Sequence, residues 1–507
     1  MFISGGTTQA RLPFRQEEPP MSWRVSGGAG GCPRTGEADA PKYNYGEIVS
    51  RLNEDYPTTS SNSFADEGIA ENMNILVLGS GGREHAILWA LKRTATSGIN
   101  LYCAPGNGGI SDIAECVPIP VSDHQALIKY AQSNRINLTV VGPEAPLAAG
   151  IVDEFEEAGL KIVGPCSAAA RLESSKAFAK DFMHRHGIPT ADSVTVSSAE
   201  QALETIRHGR FGAADSRVVI KADGLAAGKG VIVAGSRREA EAAIAEITSG
   251  ALVSSEAAQH LIIEDALAGT EVSVLLFSDG HNYALMPAAR DHKRIGENDT
   301  GPNTGGMGAI TDSSVLDEET LQQIVRDVVE PTLKGAAADG FPFRGILFVG
   351  LMLTAAGPKV LEYNVRFGDP ETQAILVRLK SDLSRIFQAM VDGTLDALDV
   401  EWTDQSSACV VLASAGYPGA YETGVQINGL PQVPPGVQVF HSGTSKDNRG
   451  GCLTAGGRVL GITAAADTLN DVLRLCYAAT DRISWKGMQY RRDIGRFHNS
   501  ESRVSGS

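Results

Sequence analysis

Met73-Asn74-Ile75-Leu76-Val77-Leu78-Gly79-Ser80-Gly81-Gly82-Arg83-Glu84-His85-Ala86-Ile87-Leu88-Trp89-Ala90-Leu91-Lys92-Arg93 runs from an apolar stretch through a glycine-rich turn into a helix-like segment. An apolar strand, a tight turn and a helix in this order open a parallel α/β domain. Strand-and-loop units recur downstream at 99–107 (INLYCAPGN), 137–144 (NLTVVGPE) and 160–165 (LKIVGP), with helical stretches between them at 124–133 and 148–159. The turn Gly79-Ser80-Gly81-Gly82-Arg83-Glu84-His85 puts backbone N–H groups and a helix dipole where an anion could bind. The same residues would also serve a tight turn with no ligand. They are not a dinucleotide fingerprint, because Glu84 stands where the third glycine is needed and the second strand ends in Ala104-Pro105-Gly106 without the acidic ribose ligand.

Upstream of this opening the composition differs. Residues 1–72 carry the small-residue runs GGTTQ, GGAGG and SSNS without an apolar period, so this segment is expected to be a disordered extension. Arg11, Arg15 and Arg24 suit an organelle transit peptide, but Glu17 and Glu18 do not. Downstream, Ser174 or Ser175 is placed to cap a helix over 176–187 that Gly187 stops. Strands then resume: VVIKAD and GVIVAG flank a glycine-rich loop, Ser236 and Glu239 form a capping box, and LIIEDAL follows. The alternating EVSVLLFSDG and the pair GILFVGLML and PKVLEYNVR around AAGP complete a mixed α+β region. From about Trp402 a further set of strands, a Pro-rich loop and the helix DTLNDVLRLCYAATDRI read as a small third domain.

The chain of 507 residues is long enough for about three to four packing units. A net charge of −16 argues against a nucleic-acid partner, whose backbone attracts clustered Lys and Arg. No apolar run reaches the roughly 18 residues that a membrane helix needs. Seven scattered cysteines without a CxxC pair fit a reduced compartment without a zinc site, and a cytoplasmic location is expected, with organelle targeting by the extension left open. His184 and His186 are two apart on a helix, so they do not converge on a metal and are expected at the surface.

Two more segments carry chemistry. Lys221-Ala222-Asp223-Gly224-Leu225-Ala226-Ala227-Gly228-Lys229-Gly230 lies between two strands, where small residues permit close backbone approach and two lysines offer charge to a polyphosphate. It is not a Walker A loop, since Gly230 replaces Ser or Thr, and taken alone it also fits a simple hairpin. In Glu362-Tyr363-Asn364, residues two apart on a strand project to one face, so a carboxylate and an amide oxygen can meet a hard cation such as Mg²⁺. Arg366 is expected on that face, where it could offset charge on a transferring phosphoryl group, and Gly368-Asp369-Pro370-Glu371 turns the chain there. By itself this segment would also suit a solvated edge strand with an ion pair.

GSGGREHA, APGN, VGPEAPL, SKAFAKDF, IKADGLAAGKGV, DHKR, GPNTGGMGA, EYNVRFGDPETQ and GYPG occur in this order over about residues 73–496. Together they resemble the glycinamide ribonucleotide synthetase family of ATP-grasp ligases. The resemblance implies a parallel α/β domain over 73–173 that binds phosphoribosylamine and an ATP-grasp domain over 174–398 with a flexible lid at about 190–265. It also implies a small α+β domain over 399–497, with a disordered tail at 498–507. The implied activity is ATP-dependent ligation of glycine to 5-phosphoribosylamine through glycyl phosphate, with Mg²⁺ or Mn²⁺, in purine biosynthesis by a monomer. Two rivals are another ATP-grasp carboxylate-amine ligase and an inactive nucleotide-binding module.

Residue roles follow from the same resemblance. Lys176 and Lys221 would hold ATP phosphates under a loop including Gly224, Gly228, Lys229 and Gly230. Glu264 and Leu267 would form the adenine hinge, with Glu271 at the ribose and Glu362 and Asn364 as metal ligands. Gly81, Gly82 and Glu144 would hold phosphoribosylamine. Asp291, Lys293, Arg366, Asp369 and the loop with Asn303, Thr304, Gly305 and Gly306 would surround glycine and the transferred phosphate, with Arg366, Asp291 and Lys221 carrying catalysis. One departure is that the strand before E-x-N reads Gly350-Leu351-Met352, where many ATP-grasp ligases place another acidic ligand.

Overall fold

The computed structural model describes residues 72–225, 230–250 and 260–496. The expected disordered segments at 1–71 and 498–507, and the loop residues Gly228 and Lys229, lie outside the described residues. The chain's first strand is β1 (Met73–Gly79), followed by β2 (Ile99–Pro105), β3 (Glu115–Cys116), β4 (Leu138–Val141) and β5 (Ile162–Val163). All pair in parallel in the order β3-β2-β1-β4-β5. Leu76 and Leu78 of β1 enter one hydrophobic cluster, and Ile75 and Val77 enter another, so the strand is apolar on both faces. The strand order reverses on either side of β1, and a crevice opens beyond the carboxyl ends of β1 and β4. Gly79 is the last residue of β1 and Glu144 lies three residues beyond the end of β4, so both stand at this carboxyl edge.

The next four strands, β6 (Ser193–Val196), β7 (Val218–Ala222), β8 (Val231–Ala234) and β9 (Leu261–Asp265), form an antiparallel sheet in the order β6-β9-β7-β8. Helices Ala199–Arg207 and Arg237–Thr248 cover it, and Ala202, Ile206, Ile220, Ile244 and Ile263 give it a core of its own. Ser236 caps the second helix through the Glu239 N–H. The Glu239 carboxylate accepts from Gly235, one residue further back than a reciprocal capping box requires.

Strands β10 (Thr270–Asp279), β11 (Tyr283–Leu285), β12 (Arg290–Asp291), β13 (Arg294–Gly296), β14 (Thr300–Asn303), β15 (Gly308–Thr311), β16 (Arg344–Thr354) and β17 (Gly357–Asn364) follow. They are divided among three sheets, of which β11-β10-β16-β17 is the central one. The alternating segment forms β10 as expected, and both of its faces are buried from Val272 onward. Val272, Val274 and Leu276 join the cluster under the first domain, while Leu275 and Phe277 pack with Phe367 and Phe387 on the other side. Last come β18 (Ser406–Ala413), β19 (Val437–His441), β20 (Thr444–Lys446), β21 (Cys452–Thr454) and β22 (Arg458–Ala466).

The order β12-β15-β18-β22-β19 shows that the C-terminal sheet is completed by two strands from the preceding region. This splices the loop between β12 and β15 onto the C-terminal part of the molecule. Ser175 caps helix Lys176–Arg185 and Gly187 follows it at φ +67°, as the sequence predicts. His184 is exposed. His186 differs from expectation: it is half-buried, with its ring 4.7 Å from Phe182 and Nε2 3.1 Å from Asp339, because the helix ends there and the chain turns inward. The six described cysteines are free. No described helix is long and apolar enough to cross a membrane.

Candidate functional site

A cleft of about 500 Å³ lies where these sheets meet. One wall is apolar: Met183, Val219, Val231, Ile262 and Leu361 surround a slot bordered by Glu264, Asp265, Ala266 and Leu267, with Glu271 beyond. Such a surface suits a flat aromatic base. At the slot's inner end stand three lysines. Lys176 donates to the Gly224 carbonyl at 2.8 Å, and Lys221 donates to the Leu361 carbonyl at 3.1 Å. Lys180, one helical turn after Lys176, pairs with Glu264 at 2.5 Å, and Lys221 contacts the other oxygen of the same carboxylate. Burial holds the ammonium groups of Lys176 and Lys180 below their ordinary values, so both are primed to gain from a polyphosphate. Asp223 fixes the start of the lysine helix by accepting from Ala177 N–H and the Ser175 hydroxyl.

The E-x-N segment closes the far side. β16 and β17 pair through Gly350 and Glu362, then through Leu351 and Val360, so Leu361 is a bulge residue. Its carbonyl is thereby turned toward Lys221. Glu362 and Asn364 both line the cleft. Gly350, where the sequence lacks an acidic side chain, lies opposite Glu362 and leaves room beside it. Arg366 lies beyond the end of β17, yet it reaches back to donate from Nη2 to Asn364 Oδ1 at 3.1 Å. Two carboxylates hold it there: Glu173 at 2.9 Å and Glu144 at 3.3 Å. Glu173 also accepts the Val365 N–H at 2.8 Å, tying the end of β17 to the end of the first domain. Burial would raise the Glu144 carboxyl, but Arg366 and then Arg83 outweigh it and keep it below the usual range.

Asp291, Lys293, Asn303, Thr304 and Gly305 form the remaining wall with Asp369 and Arg458. Lys293 pairs with Glu271 at 2.7 Å, and both face the open cleft. Burial would lower the Lys293 ammonium, but Glu271 and then Asp291 hold it well above its ordinary value. Arg458 binds Asp369 at 3.0 Å and reaches the Gly305 carbonyl, so the C-terminal sheet braces two segments of this wall.

The structure separates some residues that the sequence groups with the site. Gly81 and Gly82 do not line the cleft. The Gly81 N–H donates to the Glu84 carboxylate at 2.5 Å, a cap that the spacing Gly81-x-x-Glu84 foreshadows. A side chain at Gly82 would meet Ser442 and Gln373. Gly306, at φ +108°, packs on Pro370, and Gly224 presents only its carbonyl to Lys176. In the other direction, Glu173, Lys180 and Arg458 line the cleft without having been singled out, and so do Arg83 and Glu371, which the sequence reading names only as members of turns. Lys180 was readable, being four residues from Lys176 on one helix face. Arg458 carried no local signal.

Glu371 is 5% exposed, and burial, then Asp291, pushes its carboxyl up to about 7. In the unfolded chain such a group titrates near about 4.3, so stability is fully present below that value and falls as pH rises to about 7. Glu371→Gln cannot ionise. Its stability relative to the parent chain is expected to improve by about 2 kcal/mol between pH 5.5 and 8, read by chemical denaturation at each pH. A constant difference would show that Glu371 is already ionised in the folded state.

Three family models cover most of the described chain. They are the N domain of phosphoribosylglycinamide synthetase over residues 73–173, its ATP-grasp (A) domain over 174–372 and its C domain over 407–497. Phosphoribosylamine–glycine ligase of Xanthomonas campestris pv. campestris is 47% identical over 426 residues, spanning 83% of this chain and 97% of that one. The enzyme of the same name from Agrobacterium fabrum is 45% identical over 424 residues, 83% of this chain and 98% of that one. Among solved structures, phosphoribosylamine–glycine ligase from Thermotoga maritima aligns with a TM-score of 0.71 at 32% identity, covering 83% of this chain and all 100% of that one. The biotin carboxylase domain of Hydrogenobacter thermophilus 2-oxoglutarate carboxylase, in complex with MgADP, shares the fold at TM-score 0.62 and 16% identity over 82% of this chain and 91% of that one. With all three domain models matched in order and relatives aligned over nearly their whole length, this chain belongs to the phosphoribosylglycinamide synthetase family of ATP-grasp proteins.

Proposed function

We infer that this chain is an ATP-dependent carbon–nitrogen ligase that joins glycine to 5-phosphoribosylamine, yielding glycinamide ribonucleotide, ADP and phosphate in purine biosynthesis. The observation that carries this reading is the single cleft in which the apolar slot and its lysines meet Glu362, Asn364 and Arg366 on one side and Asp291, Lys293 and Glu144 on the other. A carboxylate is unreactive toward an amine until one oxygen becomes a leaving group. ATP supplies that group by phosphorylating glycine, and the amine then displaces phosphate from glycyl phosphate. Lys176 and Lys221 hold the nucleotide phosphates, and the backbone of 264–267 reads the base. Arg366 offsets charge on the transferring phosphoryl group. Asp291 and Lys293 position glycine, and Arg83 with Glu144 faces the amine substrate. No protein nucleophile is required.

Glu362 and Asn364 suit a divalent cation, since both offer hard oxygen donors into the cleft beside the lysines. Among the described residues no group of three or more His, Cys, Asp or Glu is arranged to hold a metal alone. This donor set fits a cation that takes its other ligands from nucleotide phosphates and water, and we assign Mg²⁺, or Mn²⁺ in its place. When bound, such an ion neutralises phosphate charge.

ADP release followed with glycine or phosphoribosylamine omitted in turn tests the reaction, and isotope labelling tests its route. With both carboxylate oxygens of glycine labelled, one label is expected in inorganic phosphate. Label in AMP would instead mean adenylation, ADP release that proceeds with another carboxylate or amine in place of these two would favour a different ligase, and no ADP release with both present would favour a bare nucleotide-binding module.

A further inference from the structure

The hairpin of β13 and β14 pairs Arg294 with Asn303 at its base and Gly296 with Thr300 near its tip. Its base is continuous with the substrate wall: Thr304 donates both its N–H and its hydroxyl to the Lys293 carbonyl at 2.8 Å. Its tip is a tight turn. Asn298 and Asp299 stand consecutively in the left-handed region, at φ +55° and +54°, which non-glycine residues adopt rarely. Hydrogen bonds inside the hairpin, from the Arg294 guanidinium to the Gly301 carbonyl and from the Thr300 hydroxyl to the Glu297 carbonyl, hold this turn, and a further restraint comes from outside it.

The restraint comes from the C-terminal strap at 491–495, almost two hundred residues away in sequence. Arg491 is 1% exposed, and its guanidinium donates to Asp299 Oδ1 at 2.7 Å and to the Arg294 carbonyl at 3.1 Å. It is itself held by a two-pronged pair with Asp493 at 2.8 and 2.7 Å. Asp493 in turn accepts the Asn298 N–H at 2.8 Å, and the Arg492 N–H donates to Glu297 at 3.1 Å. The Gly495 N–H closes the arrangement on His292 Nε2 at 2.9 Å, next to both Asp291 and Lys293. A planar, permanently charged fork is the side chain best suited to hold a carboxylate and a carbonyl at fixed angles.

We propose that Arg491 is a positioning residue for the carboxylate substrate: by clamping the hairpin tip, it sets Lys293, Asn303 and Thr304 at the hairpin base in their binding geometry. Arg491 does not line the cleft, so it acts only through the hairpin. The proposal rests on the reading of this wall as the glycine site and gives the C-terminal domain a part in substrate selection.

Arg491→Lys and Asp299→Asn each weaken the clamp, the second at a half-exposed position where folding is less at risk. KM for glycine and KM for ATP would be measured for the full chain and both variants. KM for glycine is expected to rise about tenfold in each variant while KM for ATP stays within about twofold. A merely structural role would instead lower the melting temperature and leave the ratio of the two KM values unchanged. That ratio staying constant in folded Asp299→Asn would overturn the proposal, and this variant decides alone if Arg491→Lys does not fold. A parent chain with no glycine-dependent ADP release would be a failure of the proposed function, visible before any variant is made.

Discussion

Arg366→Ala is expected to lower turnover by about a thousandfold while the protein still binds ATP, because an arginine facing a transferring phosphoryl group typically contributes on that scale. The geometry makes the loss specific. Arg366 touches the amide oxygen of Asn364, and the carboxylates of Glu144 and Glu173 hold its fork from two sides. An ammonium on a flexible stem cannot reproduce this fork, so Arg366→Lys should recover only a small part of the rate. Single-turnover ADP formation at saturating ATP separates chemistry from binding. A fall of less than tenfold in Arg366→Ala would remove Arg366 from phosphoryl transfer and leave it the structural task of pairing Glu173.

The second large effect concerns Glu264, whose side chain does something the hinge assignment does not anticipate. Its carboxylate is 3% exposed and bridges the nearly buried Lys180 and Lys221. Burying charges is costly, and removing one partner leaves the others uncompensated, so Glu264→Leu is expected to destabilise the chain by about 3–5 kcal/mol. Denaturant unfolding without nucleotide measures this. Adding ATP with Mg²⁺ should stabilise the variant more than the parent, since phosphate oxygens would then supply the missing negative charge beside Lys221. A loss under about 1 kcal/mol, with equal nucleotide stabilisation of both proteins, would mean that the two lysines do not depend on this carboxylate.

These two residues show how far local sequence reading extends. The placement of residues carried by one loop or one strand was legible: Lys221 before the glycine loop, and Glu362 and Asn364 two apart on β17, all line the cleft. It was legible because a strand's period of two and a glycine loop's steric freedom are properties of a few consecutive residues. The strand, turn and helix from Met73 were readable for the same reason, and so was the Ser175 cap. The turn at Gly81 was legible as a turn, but its amide is taken by Glu84, three residues away, a local competition that the G-x-x-E spacing contains.

The sequence by itself therefore determined the order of elements, the motifs whose residues line the cleft and the resemblance that those motifs carry together. Tertiary structure alone decided which charges meet. Glu173 reaches Arg366 at 2.9 Å, Arg458 reaches Asp369 across 89 residues, and Arg491 reaches Asp299 across 192. It also decided that β10 has no solvated face and that the C-terminal sheet takes in β12 and β15. Periodicity records only that a face is apolar; which surface covers it, and which distant charge arrives with that surface, follows from how the sheets pack.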